Sequence, residues 1–199
     1  MKHHLPLLLT AAALSSALLL TACGSNTSKQ DAADLPSSTT ESSQESGKGV
    51  LSDFTATDLN GNAVDPSIFS DYDLTMVNVW ATYCGPCLKE MPDLGELAAE
   101  YEGKGVRIVG LVSDAMNADG SISADQVETA QAIVDSTQAD YLHILPSEDL
   151  MGIVYQITSV PTTFFVDSTG AQVGTAYIGA KSKEDWASII DSTLAEVQK

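Results

Sequence analysis

Leu74-Thr75-Met76-Val77-Asn78-Val79-Trp80 runs directly into Ala81-Thr82-Tyr83-Cys84-Gly85-Pro86-Cys87, and the chain continues Leu88-Lys89-Glu90-Met91-Pro92. The first seven residues are almost continuously apolar, the pattern of a central strand covered on both faces. Gly85 and Pro86 make the turn between the two cysteines, and Pro86 suits a first helical turn, where its missing N–H leaves nothing unpaired. The expected helix aims its free N–H groups and positive dipole end at Cys84, favouring thiolate over thiol. Such settings lower a cysteine pKa to roughly 3.5–7.5, low enough to make a nucleophile at neutral pH. The chemistry expected of this segment is thiol–disulfide exchange.

Working outward, Leu88, Met91, Leu94, Leu97, Ala98 and Tyr101 recur at helical spacing and read as core positions, with Gly103 and Gly105 ending the helix. Val106 to Val112 reads as a second buried strand. A polar loop over 113–123 precedes a helix from about Ala124 to Gln138, with Val127, Ala130, Ile133 and Val134 on one face. A short strand follows at Tyr141 to Leu145, and a short helix fits between Glu148 and Tyr155. Thr158 to Asp167 reads as a turn and strand. Ser168-Thr169-Gly170 leads into a strand from Ala171 to Ile178. An amphipathic helix from Lys183 to about Val197 closes the chain, with Trp186, Ile189, Ile190, Leu194 and Val197 inward. On the N-terminal side, Asp58-Leu59-Asn60-Gly61-Asn62 carries an Asn-Gly hairpin signal, and a short helix is expected at Pro66 to Phe69. Strands alternating with helices and ending in a hairpin indicate an α/β fold around a mixed sheet.

The N-terminus has a different character. Lys2-His3-His4 precedes an apolar run from Leu5 to Leu20, followed by Thr21-Ala22-Cys23, the order of an export signal. The residues before Cys23 resemble the lipobox of bacterial lipoproteins. That resemblance implies a signal peptide over 1–22 and lipidation of Cys23; an ordinary signal peptide with a chance cysteine and an uncleaved anchor are the plainer readings. The run falls short of the ~20 residues of a membrane span and is weakened by Pro6 and Ser15-Ser16. Two acyl chains on one cysteine suffice for stable anchoring. Residues 23–49 are nearly devoid of large apolar side chains, which reads as a lipidated cysteine followed by a polar tether. As a coil its reach is on the order of 25–30 Å. Residues 50–199 have the length of one domain with one core.

Composition narrows the function further. A formal net charge of −18 over 199 residues disfavours nucleic acid, whose phosphates call for Lys and Arg clusters. With Cys23 assigned to lipid, Cys84 and Cys87 remain as one pair, with no cysteine left for a structural framework. No second Cys-x-x-Cys or spaced histidine pair completes a zinc site, and no metal or cofactor is expected. His143 is the only histidine beyond the signal, which argues against a His-based triad.

Val79 to Cys87, Lys89-Glu90-Met91-Pro92 and the distant Val160-Pro161-Thr162-Thr163 together resemble the extracytoplasmic thioredoxin-like proteins of the TlpA/ResA type, over roughly residues 50–199. The resemblance implies a thioredoxin-like fold with an inserted helix and strand between Val112 and Pro161. It implies that Cys84 attacks a partner disulfide and that Cys87 resolves the mixed disulfide. Glu90, at i+3 from Cys87, matches a glutamate that tunes the pair; the alternative is that it merely solvates the outer helix face. Pro161 would be a cis-proline facing the cysteines and exposing Val160 to a substrate peptide, against the plain alternative of a trans proline opening a strand. Tyr83 stands where tryptophan is usual and is expected as an aromatic lid. Asn78 replaces the buried acid of cytosolic thioredoxins, and the simplest reading is a hydrogen bond inside the core. Trp80 and Trp186 read as packing residues and His143 as a structural histidine.

The implied activity is that of a lipid-anchored, extracytoplasmic reductant of disulfide-containing or other redox partner proteins, at the bacterial cell membrane. Gly-Pro between the cysteines resembles reducing rather than oxidising relatives. Electrons would arrive through a membrane carrier of the CcdA type, and targets would be apocytochrome c or a methionine sulfoxide reductase. The rivals are a peroxiredoxin-type peroxidase, which wants Thr where Ala81 stands, and a non-catalytic or metal-handling lipoprotein of the same fold.

Overall fold

The computed structural model describes residues 49–199. The signal, Cys23 and nearly all of the tether lie outside the described residues.

Two short strands, β1 (Ala56–Thr57) and β2 (Ala63–Val64), pair antiparallel as a hairpin. The turn is longer than a two-residue Asn-Gly connection. Asp58 accepts from the backbone N–H of Asn60 and Asn62 and from the Asn62 amide, and Gly61 takes φ 80°, which a Cβ disfavours. A 3₁₀ turn at Pro66–Phe69 follows, its N-terminus capped by the Asp65 carboxylate.

The central sheet contains β3 (Leu74–Trp80), β4 (Val106–Val112), β5 (Leu142–Ile144), β6 (Thr162–Asp167) and β7 (Gln172–Ile178), in the order β5-β4-β3-β6-β7. The β3, β4 and β5 strands are parallel neighbours, while β6 runs antiparallel to β3 and β7 antiparallel to β6. This is the mixed α/β sheet expected. All seven β3 residues are buried because both faces are covered. Leu74 and Met76 pack toward α1 (Gly85–Glu102) and α4 (Lys183–Val197), and Trp80 toward α1 and α2 (Ala124–Thr137). Val77 and Val79 pack with Phe54, Phe69 and Leu150 on the other side. Each large apolar side chain so buried contributes about 1.5–3 kcal/mol.

Caps fix where the helices start. The α2 helix begins at Ser123, whose hydroxyl accepts from Gln126 N–H, and α4 at Ser182, whose hydroxyl accepts from Asp185 N–H. Lys183 also reaches Glu96 and Glu100 of α1, both at 2.6 Å, an exposed pair of contacts that aligns α4 on α1 more than it stabilises it.

Several boundaries differ from those read in the sequence. The expected strand Tyr141–Leu145 shortens to Leu142–Ile144, because only three residues of β4 pair with it. The expected helix at Glu148–Tyr155 reduces to the single turn α3 (Met151–Val154). Gly110 of β4 leaves room for a neighbour: a Cβ there would lie 2.3 Å from His143 Nδ1 and 3.0 Å from Trp80 Nε1.

Candidate active site

Cys84 is the N-cap of α1 and sits where buried β3 gives way to the helix. Its backbone is extended, and its sulfur accepts the N–H of Cys87 at 3.2 Å. The two cysteines are joined by a disulfide, with their Cα atoms 5.3 Å apart. Cys84 is the more accessible of the pair, at 5% exposure against 0% for Cys87. Reduction would leave the Cys84 sulfur facing the unpaired N–H groups of the first helical turn, which favour its thiolate.

The segment leading into this cap is latched from both sides. Asp114 accepts from Thr82 N–H at 3.0 Å and from the Thr82 hydroxyl at 2.6 Å, and Gln126 of α2 donates to the same carboxylate at 3.3 Å. Ser113 donates its N–H and its hydroxyl to Trp80 O. Tyr83, expected as a lid, is 78% exposed beside this latch.

The peptide between Val160 and Pro161 is cis. Val160 packs against the apolar cluster that contains Cys84, Cys87, Trp80 and Met91, so the loop before β6 lies against the cysteine turn. Pro161 is buried, and its carbonyl accepts from Gly179 N–H at 2.8 Å.

Glu90 lies on the inner face of α1, at 2% exposure, which overturns the alternative that it solvates the outer face. Its Oε1 accepts from Asn78 Nδ2 at 3.0 Å, and its Oε2 accepts from Lys181 N at 3.1 Å and from Trp186 Nε1 at 3.2 Å. Burial raises the Glu90 carboxyl above its ordinary value, and these donors together with the Lys181 charge oppose that rise only in part. The direction of that shift makes the carboxyl a better proton acceptor than an ordinary glutamate. Asn78 also donates to Thr163 Oγ1 at 3.0 Å.

The sequence reads Trp186 as packing alone and gives no role to Lys181, or to Thr163 beyond its place in the Val160–Thr163 motif. One signal was available for Trp186: an indole placed among core positions needs an acceptor for its N–H. His143 is structural, with Nδ1 accepting from Trp80 Nε1 at 3.2 Å and Nε2 donating to Ala139 O at 3.0 Å. This assigns the neutral tautomer, and burial pushes its pKa down to about 4.

Residues 49–171, which include the cysteine turn, the latch and the cis-proline, match the AhpC/TSA family. The chain belongs to the AhpC/TSA family. Among curated relatives, the thiol-disulfide oxidoreductase ResA of Bacillus thuringiensis subsp. konkukian is 31% identical over 135 residues, covering 66% of this chain and 69% of that one. The ResA of Oceanobacillus iheyensis is 37% identical over 99 residues, 48% of this chain, and the match spans less than half of that relative at 44%. A secreted Mycobacterium tuberculosis disulfide oxidoreductase, homologous to E. coli DsbE, superposes with a TM-score of 0.56 at 21% identity. The overlap covers 71% of this chain and 97% of that one, a likeness of fold. Within the AhpC/TSA family the protein is therefore a ResA-like thiol–disulfide oxidoreductase that works through a Cys-x-x-Cys pair.

Proposed function

We propose that the protein is a membrane-tethered, extracytoplasmic reductant of disulfides in partner proteins. In this reading residues 1–22 are a signal peptide, Cys23 carries lipid, 23–49 form the tether and 50–199 form the reducing domain. The lipobox-like Cys23 and the polar composition of the tether support the anchoring. Among the described residues no helix is long and apolar enough to cross a membrane.

The observation that carries the reading is a cysteine pair capping one helix, with a buried carboxyl one turn further on. The Cys84 thiolate attacks one sulfur of a partner disulfide, making the Cys84–partner bond and releasing the other partner sulfur as thiolate. Glu90 takes the proton of the Cys87 thiol. The Cys87 thiolate then attacks Cys84 Sγ, closing the intramolecular disulfide and releasing the second partner thiolate. The partner has gained two electrons and this protein has lost two. A dithiol carrier in the membrane, of the CcdA type, restores the pair. Val160, Pro161 and Tyr83 present the surface on which the partner peptide lies, and apocytochrome c or a methionine sulfoxide reductase are the proposed targets.

The test is the Cys87→Ser variant of the full chain, expected to accumulate mixed disulfides through Cys84 that dithiothreitol releases. Absence of any adduct under conditions that cycle the wild type would overturn the exchange reading. The reduction potential of the wild-type pair tests direction. A value near ~−120 mV, that of a strong oxidase, would overturn the reductant assignment.

A further inference from the structure

Asn78 is an amide inside an otherwise apolar strand, with 0% exposure. Its Nδ2 serves two acceptors, Glu90 Oε1 and Thr163 Oγ1, each at 3.0 Å, while its Oδ1 is buried with no partner. A buried, unmatched carbonyl oxygen is destabilising, so its presence here calls for a physical reason.

Glu90 supplies one. Both donors on Oε2, Lys181 N–H and Trp186 Nε1–H, lack any acceptor capacity, so that oxygen can only accept. A proton arriving at Glu90 is thereby directed to Oε1, where it meets Asn78. In the orientation observed, the amide turns a hydrogen toward this oxygen, as suits a carboxylate. Rotation of the amide through half a turn puts Oδ1 in place of Nδ2, so that a protonated Oε1–H finds an acceptor. The Thr163 hydroxyl, which accepts in the first arrangement, donates in the second. One amide atom is unmatched in either arrangement, and the carboxyl is hydrogen-bonded in both.

We propose that Asn78 is a positioning residue that turns over with the protonation of Glu90, supporting at Oε1 the carboxyl in both states. An aspartate at this position would bring a second negative charge, and an apolar residue would support neither state. The proposal rests on Glu90 exchanging a proton with Cys87 and adds how that exchange is held in place. No charged side chain of β3 or β6 contacts the carboxyl in the hydrogen-bond network. On its own helix Lys89 and Asp93 border the same cleft, and Lys181 and Asp185 border it from the turn and helix opposite. The phenol of Tyr141, buried and raised first by desolvation, also feels the Glu90 charge. The Lys181 charge favours the carboxylate.

The test is side-chain NMR of the full wild-type chain across pH, paired with pH–rate profiles of disulfide exchange for Asn78→Ala and Glu90→Gln. The Asn78 Nδ2 resonance is expected to move with the midpoint of the Glu90 carboxyl carbon. Asn78→Ala is expected to raise the profile midpoint by no more than about one pH unit, because it removes a hydrogen bond from both forms and the one to the ionised carboxylate is the stronger. An Asn78 resonance that stays still while Glu90 titrates overturns the amide switch, whether or not Asn78→Ala folds. A Glu90→Gln profile identical to wild type removes the acid–base reading itself, and the proposal falls with it.

Discussion

Trp186, in the first turn of the last helix, donates its indole N–H to Oε2 of Glu90, 96 positions earlier in the chain. Together with Lys181 N–H on the same oxygen, it ties the acid beside the cysteine turn to the far end of the fold. The Lys181 ammonium lies 5.7 Å from the Trp186 ring centroid and 5.7 Å from that of Tyr177, within range of both aromatic faces.

Trp186→Phe keeps an aromatic ring in the core and removes the donor, with a pH-independent packing cost from the smaller ring. The ionised Glu90 loses a charge-assisted hydrogen bond worth about 1.5–3 kcal/mol, while the protonated form loses less. The Glu90 midpoint, read from carboxyl carbon shifts, is expected to rise by about one to two pH units. The sign for stability follows: a carboxyl raised in the folded state binds extra protons there. Its favourable contribution is full below the unfolded value and is lost as pH rises through the folded one. Trp186→Phe moves that loss to higher pH, which denaturant titrations at pH 5 and pH 8 would register.

His143 acts in the opposite sense. Its folded pKa of about 4 lies below the ordinary 6.5, so the unfolded chain binds the proton first. Stability is full above 6.5 and is lost as pH falls toward 4, by about 2–3 kcal/mol at pH 4.5. Replacing His143 by Gln, which offers an acceptor to Trp80 Nε1, is expected to remove this component while costing some packing at all pH values. The difference between variant and wild type at pH 7 and pH 4.5 isolates it. Parallel unfolding curves at the two pH values for both proteins would contradict the assignment.

Asp114→Ala removes the carboxylate that accepts from Thr82 N–H, the Thr82 hydroxyl and the Gln126 amide, leaving the last only the Asp114 carbonyl. Loss of this part-buried network is expected to cost about 1–3 kcal/mol, since Thr82 N–H is left without its carboxylate. Hydrogen exchange should accelerate at Thr82 and Cys84 more than at Met76 or Val109. Uniform acceleration across the sheet would show a general loss of stability instead of a local release of the cysteine turn.

The parts of the fold most legible in the sequence are those whose pattern is set locally. Leu74–Trp80 and Val106–Val112 emerge with the boundaries read from their apolar runs, because covering both faces of a strand leaves no polar alternation to blur its ends. Lys183–Val197 does so because its inward face is periodic and Ser182 caps it. The cysteine turn was readable for the same reason, since everything it needs lies within a few residues of Gly85-Pro86. The environment of Glu90 was not. Spacing placed it one turn beyond Cys87, but whether that face meets water or α4 depends on Trp186 and Lys181, which no local pattern connects to it. The grip of Asp114 on Thr82, across 32 positions of chain, is likewise outside the reach of any local pattern.

Because two of the three donors on the Glu90 carboxyl come from positions 181 and 186, the acid is fully dressed only when the C-terminal helix has docked. A nascent chain would carry both sulfurs long before that segment is made. A product clipped ahead of Lys181 would keep the sulfurs and lack the clamp permanently. In the proposed mechanism, readiness for proton exchange at Glu90 therefore waits on the docking of α4 and the turn before it.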